Sequence, residues 1–240
     1  MLSAGERPQP AMKNKAAVVD THHHHTMPMD HTTTNPLWGD QTQTQPPQPL
    51  QQQQTQHIWV VTGPAGCGKS TVGRGLQEEL GVPFLEGDDF HPASNKTKMS
   101  NGVPLTDEDR WDWLISLRQA AISALSPSEA NHYHPPSGVV VACSALKKKY
   151  RDVMRVAAYG SPSVQIHFIY LKVDPSALLQ RVTARQAHYM KSGMVKSQLM
   201  DLEEPVGDEW DAVTVDVHAG QAEVLQEVIG RVRDVLKAAM

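Results

Sequence analysis

The chain has 240 residues, 40% of them hydrophobic, and a formal net charge of −4. That length allows one or two domains, and the charge removes any general electrostatic case for nucleic acid or an anionic membrane as partner. No apolar run approaches the length of a membrane span, the start lacks the apolar core of a secretory signal, and two cysteines, Cys67 and Cys143, cannot build a disulfide framework.

Residues 1–56 differ in kind from the rest. They hold the run His22 to His25, the triplet Thr32-Thr33-Thr34, several prolines and a Gln/Pro stretch from Gln41 to Gln56. Few of these side chains can pack a core, so the segment is predicted to be a disordered low-complexity tail. Glu6, Asp20 and the scarcity of arginine argue against a mitochondrial presequence. The histidine run, with no fold to set its geometry, reads as biased sequence. The ordered domain is expected over residues 57–240.

That domain opens on Ile58-Trp59-Val60-Val61-Thr62, an apolar β-branched run that predicts a buried strand. Gly63-Pro64-Ala65-Gly66-Cys67-Gly68-Lys69-Ser70 follows and fits G-x-x-x-x-G-K-[ST], the phosphate-binding P-loop. Then Val72, Leu76 and Leu80 recur at helical spacing. Strand, Gly-rich loop and helix in that order are the context the motif requires. The glycines let several N–H groups converge on one anion, and the helix adds its positive end. Residues Gly63 to Thr71 are therefore candidate ATP ligands, with Lys69 reaching the β- and γ-phosphates and Ser70 holding Mg²⁺. Cys67 reads as a buried thiol; a pKa lowered by the helix N–H groups is the alternative.

Val82 to Glu86 predicts a second strand, leading into Gly87-Asp88-Asp89-Phe90-His91-Pro92. Ligands of open α/β sheets bind beyond the strands' carboxyl ends. Glu86, Asp88 and Asp89 are thus candidates for chemistry, against plain loop duty. Residues Ser94 to Met99 suggest a short basic helix carrying Lys96 and Lys98. Thr106-Asp107-Glu108-Asp109 resembles a capping box. It opens an amphipathic helix with Trp113, Leu114, Leu117, Ala121 and Leu125 on one face. Arg110 lies in that helix's first turn, where the dipole disfavours a cation. It serves either an anionic ligand or a salt bridge with Asp107 or Glu108.

Val139 to Cys143 reads as a central strand. It runs into Ser144-Ala145-Leu146-Lys147-Lys148-Lys149-Tyr150-Arg151, with four cations in five residues from Lys147 to Arg151. That is either an anion site or an exposed basic helix face. No acidic residue ends this strand, so Glu86 and Asp88 must supply any support for Mg²⁺. Gln165 to Leu171 is another strand, and Asp174-Pro175 starts a helix with Pro at its first position. Arg181, Arg185, His188 and Lys191 cluster in an expected lid over phosphates, about 185–202. Val213 to Val217 is the last strand, and Gln221 to Met240 the last amphipathic helix. The alternation predicts an α/β fold with a five-stranded parallel sheet.

Taken together, these blocks make the sequence past the tail resemble the small P-loop gluconate kinases, relatives of shikimate and nucleoside monophosphate kinases. The most specific blocks are Asp89-Phe90-His91-Pro92 and Cys143-Ser144-Ala145-Leu146-Lys147-Lys148, joined by Asn95 to Met99, Gly102 to Arg110, Phe168 to Leu171 and His188 to Pro205. The resemblance implies a three-layer P-loop kinase fold with a helical lid, and transfer of a phosphoryl group from ATP to D-gluconate. It also implies a product feeding the pentose phosphate route, Mg²⁺, a homodimer and a cytoplasmic location. On it, Asp88, Lys69 and Arg185 are catalytic, and Arg181 and Arg185 join the P-loop on ATP. Asp88, His91, Lys98, Arg110 and Lys147 take the acceptor. Ser70 binds the metal directly, and Glu86, where related kinases often carry Asp, binds it through water. A kinase for another small hydroxylated acceptor, such as shikimate or a nucleotide, is the nearer rival. A non-catalytic nucleotide switch is the other, but Asn95-Lys96-Thr97 is followed by Lys98 where a GTPase has Asp, and no Asp-x-x-Gly occurs.

Overall fold

A computed structural model of the chain describes residues 54–184, 192–218 and 220–238. The tail to residue 53, with its histidine run, lies outside these residues, as do Arg185, His188 and Lys191 of the expected lid. Among the described residues the order is β1 (Gln56–Thr62), α1 (Lys69–Leu80), β2 (Phe84–Glu86), a 3₁₀ turn (Gly87–Phe90), α2 (Ala93–Ser100) and α3 (Asp107–Ala124). Then come β3 (Gly138–Ala142), α4 (Lys148–Tyr159), β4 (Val164–Lys172), α5 (Pro175–Ala184), α6 (Ser192–Asp201), β5 (Ala212–Asp216) and α7 (Gln221–Ala238).

The strands form one parallel sheet in the order β2-β3-β1-β4-β5. β1 lies at the centre; the chain crosses from it to the edge strand β2, returns to β3 beside β1, and then adds β4 and β5 on the other side. The crevice beyond its carboxyl end is the topological switch point where such sheets bind ligands. The P-loop occupies that place.

Side chains alternate across the pleat. Ile58 and Val60 of β1 pack with Trp113, Leu114 and Leu117 of α3 and with Tyr150 and Met154 of α4. Trp59 and Val61 face the other layer, where Leu76 of α1, Leu178 of α5, Val195 of α6 and Val224, Val228 and Val232 of α7 lie. Burial on both faces explains the unbroken apolar run of β1. Each Val or Ile so buried contributes roughly 1.5–3 kcal/mol. The capping box at Thr106 forms as the sequence suggests, with Asp109 at the third helical position.

Two helices are poorly marked in the sequence. α4 begins inside the lysine run, and the charges mask a period that buries Tyr150, Arg151, Met154 and Ala157. α6 lies in the stretch read as a lid, yet it buries Met194 and Val195. Among the described residues no helix is long and apolar enough to cross a membrane.

Candidate active site

The P-loop owes its shape to glycines that no other residue could replace without rearrangement. Gly63 has φ 142°, and a Cβ there would lie 3.0 Å from the Leu171 carbonyl oxygen. Gly66 has φ 87°, and a Cβ there would lie 2.7 Å from Val182 of α5. Both conformations lie in the region L side chains rarely adopt. Cys67 is buried beneath the loop, and burial pushes its thiol pKa up despite the nearby Lys69. That agrees with the buried-thiol reading and goes against the lowered-pKa alternative: the cost of a buried thiolate exceeds the help from the loop's amides. The Lys69 ammonium folds back on its own loop, donating to the Pro64 carbonyl at 3.1 Å.

Ser70 and Glu86 come together at the loop's edge. Burial raises the Glu86 pKa, the Ser70 hydroxyl opposes the shift, and the like charge of Asp88 adds to it. Hard oxygen donors beside crowded carboxylates fit a Mg²⁺ that keeps much of its water.

Beyond β2 the 3₁₀ turn is pinned from below. The Trp113 indole N–H donates to the Gly87 carbonyl at 2.7 Å. His91 stacks on the Trp113 ring, centroids 4.1 Å apart, and its burial lowers the imidazole pKa to about 4. Neutral at pH 7, His91 can give or accept a hydrogen bond but brings no charge. The turn thereby presents Asp88 to a small cleft that Ala65 and Lys69 of the P-loop, His91, Arg110 and Gln198 also line.

The cations expected around the acceptor are engaged by the protein itself. Arg110 is only 9% exposed. It donates to the Tyr150 hydroxyl at 3.2 Å and to Asp201 of α6 at 3.4 Å, so neither Asp107 nor Glu108 is its partner. Lys147 bridges Asp107 at 3.1 Å and Asp201 at 3.0 Å. Lys98 is half-exposed and pairs with Asp109 at 2.6 Å, and neither of the two lines the cleft. Lys148 pairs with Asp208, Lys149 with Asp107 and Arg151 with Glu209. The run from Lys147 to Arg151 is therefore not a free anion site; acidic residues from distant elements neutralise it.

Arg151 has a structural task. Its guanidinium makes two hydrogen bonds to Glu209, at 2.6 and 2.7 Å, and donates to the carbonyls of Ala145, Leu146 and Glu203. Ala145 has φ 30°, an uncommon conformation for a residue with a Cβ. The buried ion pair holds that strained turn, which brings Ser144 and Leu146 into the cleft wall.

A second, larger cleft of about 630 Å³ opens on the other flank of the P-loop. Gly68, Thr71, Arg181, Val217, Gln221 and Leu225 line it, and Arg181 donates to the Val217 carbonyl at 3.4 Å. The P-loop thus separates a roomy, largely apolar cleft from a tight, polar one.

Known proteins match this arrangement in sequence and in structure. The family model described as shikimate kinase matches residues 65–233. A probable gluconokinase of Schizosaccharomyces pombe is 42% identical over 173 residues, 72% of this chain and 86% of the relative. The thermosensitive gluconokinase of Escherichia coli is 40% identical over 169 residues, 70% of this chain and 83% of the relative. The chain belongs to the gluconokinase family. A crystal structure of a gluconokinase from Sinorhizobium meliloti superposes with a TM-score of 0.63 at 38% identity, covering 78% of this chain and 98% of that one. The protein is accordingly a P-loop kinase with the α/β fold read from its sequence.

Within this gluconokinase-family chain, sequence reasoning passed over Gln198, Asp201 and Tyr150. Gln198 accepts a hydrogen bond from the Ala65 amide of the P-loop at 2.7 Å. Asp201 joins Arg110 and Lys147. All three depend on partners far away in sequence, which spacing along one element cannot reveal. The only local hint is Asp201 itself: it ends α6, where the helix dipole disfavours an anion.

Proposed function

We propose that the chain phosphorylates D-gluconate at its terminal hydroxyl, using ATP and giving 6-phosphogluconate and ADP. The observation that carries the reading is the shared cleft: Asp88, Arg110 and His91 line it together with Ala65 and Lys69 of the P-loop. A hydroxylated carboxylic acid there has a carboxylate to orient its alcohol, a cation for its own carboxylate, and a phosphate cradle within reach. The names of the relatives support gluconate as that acid.

ATP lies with its phosphates in the P-loop and its base in the larger cleft beside Arg181. The acceptor hydroxyl oxygen attacks the γ-phosphorus in line, and the bond to the β–γ bridging oxygen breaks as the new one forms. Asp88 holds the hydroxyl and takes its proton, with orientation as its larger contribution. Lys69, with Arg181 and Arg185, neutralises the transferring group. Mg²⁺, held by Ser70 directly and Glu86 through water, would neutralise charge on the β- and γ-phosphates. Arg110 and His91 orient the acid, with Lys147 near its carboxylate. Family likeness supports a homodimer in the cytoplasm whose product enters the pentose phosphate route.

The match to the shikimate kinase model makes shikimate the competing acceptor. An acceptor panel with ATP separates them: 6-phosphogluconate formation followed by a coupled dehydrogenase, against ADP release with shikimate or nucleoside monophosphates. Turnover with shikimate or a nucleotide but not with gluconate would overturn the reading. Asp88→Asn is expected to lower kcat at least ~10²-fold. Near-normal turnover in that variant would remove Asp88 from the mechanism.

A further inference from the structure

The tight cleft is about 60 Å³, whereas pockets for small ligands are on the order of 300–1,000 Å³. Helix α6 bounds it on one side, with Met194, Ser197 and Gln198 among its lining residues. Two polar groups on that helix, one turn apart, each meet a group that the proposed reaction needs for a substrate. The Gln198 carbonyl oxygen accepts from the Ala65 N–H at 2.7 Å, within the cradle meant for phosphate oxygens. The Asp201 carboxylate lies between Lys147 at 3.0 Å and Arg110 at 3.4 Å, the cations expected near the acceptor's carboxylate.

The charges involved sit where their own helices disfavour them. Arg110 is in the first turn of α3, and Asp201 is the last residue of α6. Each is in the wrong place for its helix dipole and in the right place for the other. Hydrogen bonds to Asp201 and Asp107 outweigh partial burial and hold the Lys147 ammonium above its usual range.

We propose that α6 is an internal ligand of both substrate subsites, with Gln198 standing in for a phosphate oxygen of ATP and Asp201 for the carboxylate of the acceptor. This rests on the gluconokinase reading for what the acceptor is. Gln198 and Asp201 are three residues apart on one helix, so they share a face and leave together. The first substrate to bind bears the cost of expelling α6, and the second does not. Donor and acceptor therefore bind with positive coupling, and each binds the free protein more weakly than its subsite would allow.

Calorimetry with a non-transferable ATP analogue and with gluconate, each alone and then together, tests this. In the unaltered protein gluconate is expected to tighten the analogue several-fold, and the analogue to tighten gluconate by the same factor. Asp201→Asn keeps the side chain's shape and removes its charge. It is expected to lower the Kd for gluconate alone by about 3- to 10-fold and to bring the coupling factor towards one. Gln198→Ala is expected to lower the Kd for the analogue alone. Asp201→Ser serves as the second variant if Asn folds poorly.

If both variants instead weaken binding, with raised KM and lowered kcat, the contacts belong to the productive complex and the proposal falls. Unchanged affinities and unchanged coupling in both variants also overturn it. The analogue measurement on Gln198→Ala involves no acceptor. Failure of gluconate to bind the unaltered protein would thus count against the gluconate reading, while the α6 proposal would still be decided by that donor arm.

Discussion

The donor side of the cleft is made of backbone and the acceptor side of paired side chains. Gly63 and Gly66 let the P-loop pack closely against the end of β4 and α5, and its amides take their direction from the backbone itself. Across the loop, Arg110, Lys147, Asp107, Tyr150 and Asp201 come from α3, α4, the turn before α4, and α6. A backbone cradle is fixed once its strand and helix are fixed. A side-chain network is fixed only when every contributing element has docked, and it can exchange partners with a ligand. That difference gives the first side a fixed shape, whatever occupies its amides, and lets the second change its pairing with its occupant.

The comparison can be strained most severely through the ion pair beneath the acceptor side. Glu209→Gln leaves the Arg151 guanidinium buried without its anion, and removing one partner of such a pair costs about 3–5 kcal/mol. Thermal unfolding should show a large fall in Tm. An unchanged Tm would mean that the strained turn at Ala145 does not depend on Arg151. On the donor side, Lys69→Met should keep the fold and lower kcat by roughly 10²–10³-fold, because a preorganised charge facing the transferring group is lost. Gluconate affinity in that variant should barely change, and a large loss would show that the two sides are not separable.

A milder probe is Arg110→Met, expected to raise the KM for gluconate about tenfold with the KM for ATP unchanged, as for one charged hydrogen bond. The reverse pattern would move Arg110 to the donor side. The gentlest probe is acid. His91, under the acceptor cleft, and His167, stacked on Trp59 in the sheet, are held neutral by burial, each with its pKa lowered to about 4. Between the ordinary value of 6.5 and about 4 the unfolded chain binds more protons than the folded one, so stability falls as pH drops through that window. Glu209, lowered to about 2 by Arg151 and Arg155 against the opposing effect of its burial, carries the loss further between 4.5 and about 2. Urea unfolding at pH 7 and pH 5 measures the first window. Phe in place of His167 should flatten the slope, and an unchanged slope would exclude that histidine.

The acceptor side also marks where reading by local pattern stops. The lysine run before Arg151 looks like an anion site as a string of letters. Folding brings Asp107 from the first turn of α3 and Asp208 and Glu209 from before β5 against it, and the charge is consumed internally. Cys67 sits in a loop that favours thiolates, yet its burial under the loop dominates.

Strand, loop and helix around Gly63 to Ser70, the apolar face of α3, the capping box at Thr106 and the α/β alternation were all determined by the sequence alone. Each depends on neighbours within a few residues, where backbone geometry and side-chain period act directly. Partners of Arg110, Lys147, Arg151 and Gln198 were decided only by tertiary structure. A charge or an amide specifies the kind of group it will meet, and only the docking of α4 and α6 onto the sheet determines which one is within reach.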